Sequence, residues 1–101
     1  MPIHMTARYQ IHPDKVEQTK DSILQLVKHV KLHEPFTTTY IALQEILNPS
    51  KFIHILRFDD ETALTTHQNS AASAQFVKKV YPEALKPLEF MEYNLIATVN
   101  Q

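Results

Sequence analysis

The chain lacks several residue types outright. Among its 101 residues there is no glycine, no cysteine and no tryptophan. A chain of this length ordinarily carries about seven glycines. Without them there is no glycine-rich phosphate loop, which removes the usual nucleotide-binding motifs. Without cysteine there are no disulfides, thiolate nucleophiles, iron–sulfur clusters or Cys-ligated zinc. Neither sign of charge dominates: ten Lys+Arg stand against eleven Asp+Glu, for a formal charge of −1. A chain without a basic surplus is not expected to bind nucleic acid. Long apolar runs are also missing, so no membrane partner is expected. His4, Thr6 and Arg8 interrupt the N-terminal apolar residues and leave no signal peptide there, so the expected location is cytoplasmic.

What remains is a globular composition, 44% hydrophobic and 21% charged. The length suits one domain over residues 1–101. Ile3, Met5, Ala7, Tyr9 and Ile11 alternate with polar residues and predict a first strand. Pro13 starts a helix running to about Leu32, with Val16, Ile23, Val27 and Val30 inward and Leu24 and Leu26 beside them. Thr37 to Leu47 reads as strand two and Lys51 to Phe58 as strand three, joined through Asn48-Pro49-Ser50 as a hairpin. Asp59-Asp60 offers an N-cap to a short helix in which Ala63, Leu64 and His67 share a face. Asn69-Ser70 breaks it, Ala71 to Tyr81 forms a third helix with Phe76, Val77 and Val80 inward, and Leu88 to Val99 is the last strand.

The order β-α-β-β-α(α)-β is the α+β, ferredoxin-like arrangement: a four-stranded antiparallel sheet with helices on one face. Those helices cover one sheet face. Yet strand three has Phe52, Leu56 and Phe58 on one side and Ile53 and Ile55 on the other. A bare apolar face of that size calls for a cover, and a second copy in a two-fold homodimer is the simplest one.

The stretch from Phe52 through Asp59-Asp60-Glu61, Ala63-Leu64, His67 and Ser70 to Phe76 resembles the antibiotic biosynthesis monooxygenase family. The likeness extends from Thr6 to Thr98 and takes in Glu34-Pro35 and Tyr93. It implies a dimeric α+β barrel. Two positions and one absence depart from the family pattern. Phe36 stands where a glycine usually follows the Glu-Pro pair, and Leu56 stands where many members have glutamate. The tryptophan used by haem-degrading relatives is absent. The resemblance implies oxidation of anthrones or quinols by molecular oxygen without metal, flavin or other cofactor. Such chemistry needs a dry pocket, a base and donors for an oxyanion. Relatives also isomerise phosphorylated sugars or degrade haem.

His67 holds the family's histidine position on an apolar helix face, where burial favours the neutral base. The bland reading is a core histidine tying down its helix. His54 lies mid-strand among Phe52, Leu56 and Phe58 and needs a polar partner, catalytic or structural. Arg8 suits an oxyanion or carboxylate, or else an ion pair with Glu45 or Glu92. Tyr40 and Tyr93 could line a pocket as donors, and Phe76 could pack against substrate or simply the core. His29 and His33 have i, i+4 metal spacing, but Val30-Lys31-Leu32 between them holds no acid, so an exposed helix end and no metal site are expected.

The leading expectation is therefore a cofactor-independent monooxygenase of a small aromatic or quinol-like molecule, with His67 and His54 as catalytic candidates. Arg8, Tyr40, Tyr93 and Phe76 are the substrate-binding candidates. Two alternatives stay open: a non-catalytic small-molecule-binding or regulatory dimer, and an oxygen-independent isomerase of the same fold.

Overall fold

The computed structural model describes residues 1–100. The strands are β1 (Ile3–Gln10), β2 (Thr37–Gln44), β3 (Lys51–Phe58) and β4 (Glu89–Tyr93), and the helices are α1 (Val16–His33), α2 (Glu61–Gln68) and α3 (Ala71–Val80). Every strand pairing is antiparallel, in the order β2-β3-β1-β4. This is the ferredoxin-like arrangement that the element order predicts.

The lack of glycine shapes the turns. No described residue has positive φ. The hairpin turn uses proline and an asparagine side chain instead: Ser50 N–H donates to Asn48 Oδ1 at 3.3 Å, and Lys51 N–H to the Asn48 carbonyl at 3.0 Å. α1 ends without a left-handed cap. Glu34 N–H donates back to the Val30 carbonyl at 2.9 Å, and Pro35 then stops the helix. Asp60 caps α2 by accepting from Ala63 N–H, and Ser70 caps α3 by accepting from Ser73 N–H.

The core lies between the helices and one sheet face. Tyr9, Ile11 and Phe52 meet Ile23 and Leu26 of α1 and Phe76 and Val80 of α3. A second cluster joins Leu56 and Phe58 to Ala63. Phe58, Ile11 and Val80 are at most 1% exposed, and each contributes roughly 1.5–3 kcal/mol by leaving water.

Several expected boundaries shift. Pro13–Lys15 forms a separate 3-10 turn before α1, and Tyr81–Glu83 forms another after α3. β2 stops at Gln44, because Ile46 and Leu47 are taken up in reaching the Asn48 turn and lie almost wholly exposed. Leu24 points outward at 68% exposure, while Thr19 and Ser22 take the buried positions. Thr19 tolerates this by donating its hydroxyl to the Lys15 carbonyl at 2.9 Å. β4 is much shorter than Leu88 to Val99. It pairs only with β1, and Tyr93 already faces His4, so the residues beyond it have run past the start of their partner.

The open sheet face carries the apolar residues that the alternation predicts. Strand register sets Ile41, Ile55, Thr6 and Met91 in one row across the sheet and Leu43, Ile53, Arg8 and Glu89 in the next. Among the described residues no helix is long and apolar enough to cross a membrane.

Candidate functional site

Alternation along β3 sends Phe52, His54, Leu56 and Phe58 to the helix face, where all four are buried. His54 has an alanine directly opposite on both sides, Ala42 on β2 and Ala7 on β1. These small neighbours leave room for the diagonal residues, Tyr40 on β2 and Tyr9 on β1, to reach it. Tyr9 Oη lies 2.6 Å from His54 Nε2, and Tyr40 Oη lies 2.7 Å from His54 Nδ1. Both ring nitrogens are thereby engaged. Burial pushes the His54 pKa down to about 4, helped by the neighbouring His67, so the ring is neutral at pH 7. Burial likewise raises both tyrosines above the usual phenol range. Tyr40 is raised further by the Glu34 carboxylate, and Tyr9 by Tyr40.

The second cluster centres on Glu34, between α1 and β2. Its side chain is only 3% exposed. Oε1 takes two bonds, from Thr37 Oγ1 at 3.0 Å and with His67 Nδ1 at 2.9 Å. Oε2 is buried with no hydrogen bond of good geometry, and His29 Nε2 stands 3.3 Å from it. A carboxylate only accepts, so His67 Nδ1 carries a hydrogen, and Nε2 is the ring nitrogen turned away from Glu34. α2 and its corner hold the ring in place. The His67 carbonyl accepts from Ser70 Oγ at 2.9 Å and from Ser73 Oγ at 2.6 Å. The imidazole lies against Phe58 and Tyr40, with ring centroids 5.4 and 5.8 Å away.

These two clusters border one cavity of about 360 Å³ between sheet and helices. His67, His54, Tyr40 and Phe76 all line it, together with Leu56, Leu64 and Val77. Phe76 also packs on His54 at 5.6 Å, so it serves core and cavity together. Among the described residues no Lys, Arg, Asp or Glu lines the cavity. Val77, expected inward, is 42% exposed because it faces this open space.

Arg8 and Tyr93 lie elsewhere. β1 alternation puts Arg8 on the open sheet face beside Ile53. Glu92 shares a row with Met5 on the opposite face, and Glu89, directly across from Arg8, pairs with Lys86 at 3.4 Å. Among the described residues Arg8 makes no ion pair, with Glu45, Glu92 or any other acid. Tyr93 Oη meets Thr6 Oγ1 at 3.0 Å and lines a separate hollow of about 480 Å³ on the open face. His29 and His33 lie with ring centroids 5.0 Å apart and tilted by 42° at the end of α1, and His29 turns toward Glu34.

Sequence reasoning did not single out Tyr9, Tyr81 or Glu34 as site residues. Tyr9 read as core from its alternation, and Tyr81 as the end of a helix, yet both line the cavity. The signal for Glu34 was a carboxylate held between a helix end and Pro35, with His29 little more than one turn behind it.

Comparison with known proteins agrees with the fold. Residues 2–79 match a family model described as antibiotic biosynthesis monooxygenase. Among curated proteins, sequence comparison finds no match. Solved structures share the fold at low identity. A protein of Bacteroides thetaiotaomicron VPI-5482, provisionally named an antibiotic biosynthesis monooxygenase, superimposes with a TM-score of 0.90 at 15% identity, over 97% of this chain and 92% of that one. Rv0793 of Mycobacterium tuberculosis gives 0.87 at 14%, over 98% and 99%. A conserved protein of Methanosarcina mazei Go1 gives 0.83 at 24%, over 92% and 91%.

Proposed function

The chain belongs to the antibiotic biosynthesis monooxygenase family, and from that premise we propose that it oxygenates a small, neutral, flat aromatic or quinol-like molecule without a cofactor. The observation that carries this reading is His67, oriented by the buried Glu34 and opening onto an apolar cavity.

In this scheme His67 Nε2 removes a proton from an acidic C–H of the substrate. Glu34 balances the imidazolium that forms and fixes its tautomer. The carbanion passes one electron to molecular oxygen, and the two radicals join as a C–O–O⁻ peroxide. His67 returns its proton to give the hydroperoxide. Loss of the remaining C–H proton with cleavage of the O–O bond leaves C=O and water. One CH₂ and one O₂ thus become one C=O and one H₂O. The cavity's apolar walls keep bulk water from the carbanion.

Tyr40 and Phe76 contact the substrate here, whereas Arg8 and Tyr93, on the other sheet face, do not. His54 has no free nitrogen and acts through its tyrosines as a positioning residue. A phosphorylated sugar would find no counter-charge among the lining residues, which disfavours the isomerase. Leu56, a cavity-lining residue where many members have glutamate, favours a second reading, a non-catalytic binder. The working assembly is a homodimer packed through the open sheet face.

Oxygen uptake on a panel of anthrones and reduced quinones tests the proposal. The expected result is uptake above the protein-free rate that survives EDTA and collapses in His67→Ala. Full turnover in His67→Ala would remove the base from the scheme. Retention of an unchanged ligand under air, with no uptake, would favour the binder.

A further inference from the structure

The Tyr9–His54–Tyr40 cluster holds more hydrogens than its bonds can use. Neutral His54 brings one N–H and one bare ring nitrogen, and each phenol brings one O–H. The cluster makes only the Tyr9–Nε2 and Tyr40–Nδ1 bonds. One phenolic O–H is left over, and neither tyrosine has another hydrogen-bond partner among the described residues.

Burial indicates which one. Tyr9 is 5% exposed, stacked on Phe52 at 5.5 Å with Phe76 edge-on at 6.3 Å, so an unmatched O–H there would face rings. Tyr40 is only half-buried, and its ring stands 5.8 Å from that of His67.

We propose that Tyr9 donates to His54 Nε2, that His54 donates from Nδ1 to Tyr40, and that the Tyr40 O–H is the cavity's donor to a single ligand oxygen. The ligand class is a planar, uncharged molecule with a phenolic or enolisable carbonyl oxygen. This deepens the reading above and rests on it, because it takes the cavity as the substrate site.

The direction of the chain matters. A phenol that accepts from an N–H donates more strongly through its own O–H, so each link reinforces the next. A ligand oxygen held by Tyr40 lies beside His67, which then takes the proton from the same molecule. As negative charge grows on that oxygen, the bond tightens, as an oxyanion donor requires. A phenol is protonated at neutral pH, and burial raises the Tyr40 value further, so its O–H is available to donate. Among the described residues the cavity lining carries no Lys or Arg, which suits an uncharged ligand, whereas a carboxylate or phosphate would enter without a cationic side chain to pair with.

The probe is 1-naphthol, compared with 1-methylnaphthalene, which fills similar space without the hydroxyl. Wild-type protein is expected to prefer 1-naphthol by about tenfold. Tyr40→Phe should bring the two affinities to within about twofold, and Tyr9→Phe should keep most of the preference. Imidazole nitrogen NMR of the wild-type protein should show His54 protonated at Nδ1. Protonation at Nε2 would overturn the proposal, as would a naphthol preference that survives Tyr40→Phe. The tautomer measurement needs neither a variant nor turnover, so it decides the matter even if Tyr40→Phe fails to fold. It also separates the two readings. Oxygen uptake with an Nε2 tautomer would keep the oxygenase and reject this donor; an Nδ1 tautomer without uptake would do the reverse.

Discussion

Glu34 and His67, 33 positions apart in the chain, meet at 2.9 Å between Oε1 and Nδ1. The contact couples the end of α1 to the face of α2 and sets which imidazole nitrogen looks into the cavity. Glu34→Gln keeps the shape and the Thr37 bond but removes the charge. It is expected to lower kcat for oxygen uptake by about tenfold to a hundredfold, with a smaller change in KM, because the lost charge matters most once His67 is protonated. An oxygen electrode checks the rate. A urea titration of the same variant separates that effect from loss of fold.

His54 ties stability to pH. Its folded pKa is about 4 and its ordinary value 6.5. Between these values the unfolded chain holds the proton and the folded chain does not, so acid favours unfolding. The stabilisation is fully present above pH 6.5 and is lost as pH falls to about 4. Between pH 7 and pH 4.5 the expected loss attributable to His54 is about 2 kcal/mol. Urea midpoints at pH 7 and pH 4.5 should show it, and the difference should shrink in His54→Gln. An equal difference in that variant would place the acid sensitivity elsewhere.

The open sheet face is the proposed contact between two copies of the chain. Ile55 sits mid-sheet between Ile41 and Thr6, with Met91 on the edge strand of the same row. Ile55→Lys is expected to turn a light-scattering mass of two chains into one, since it would desolvate a charge inside the contact. A wild-type monomer at micromolar concentration would rule out the dimer.

Leu56 is buried at 8% exposure and lines the cavity. Leu56→Glu restores the residue many family members carry, in a site without a cationic partner. It is expected to cost about 3 kcal/mol or more at neutral pH and to weaken binding of neutral aromatics. Thermal unfolding at pH 7 and pH 4.5 distinguishes the charge from the change of shape, because protonation should recover part of the loss.

Much of the framework was legible in the chain. The β-branched and aromatic run Lys51–Phe58, set between the Asn48-Pro49-Ser50 turn and Asp59-Asp60, gave β3 its bounds, whereas apolar residues on both of its sides left open which side the helices cover. Asp60 marked the start of α2 through cap chemistry that acts within three residues, and Asn69-Ser70, read as a break, is where Ser70 caps α3. The end of β4 was not legible, because it depends on where β1 begins. Leu24 likewise read as apolar, and only the packing of α1 on the sheet turned it to solvent.

The candidate site divides along the same line. By itself the sequence determined the strand and helix pattern, the two-sided sheet and the placing of His54 on the side of Phe52, Leu56 and Phe58 and of His67 on an apolar helix face. These follow from local periodicity and caps, which need no distant partner. Only the tertiary structure decided that His54 lies between Tyr9 and Tyr40, that Glu34 is the partner of His67, and that Arg8 and Tyr93 belong to the other face. Those relations join residues far apart in the chain. They are set by strand order, by alanines that leave room for the tyrosines, and by the need of a buried carboxylate for donors, none of which is visible within one segment.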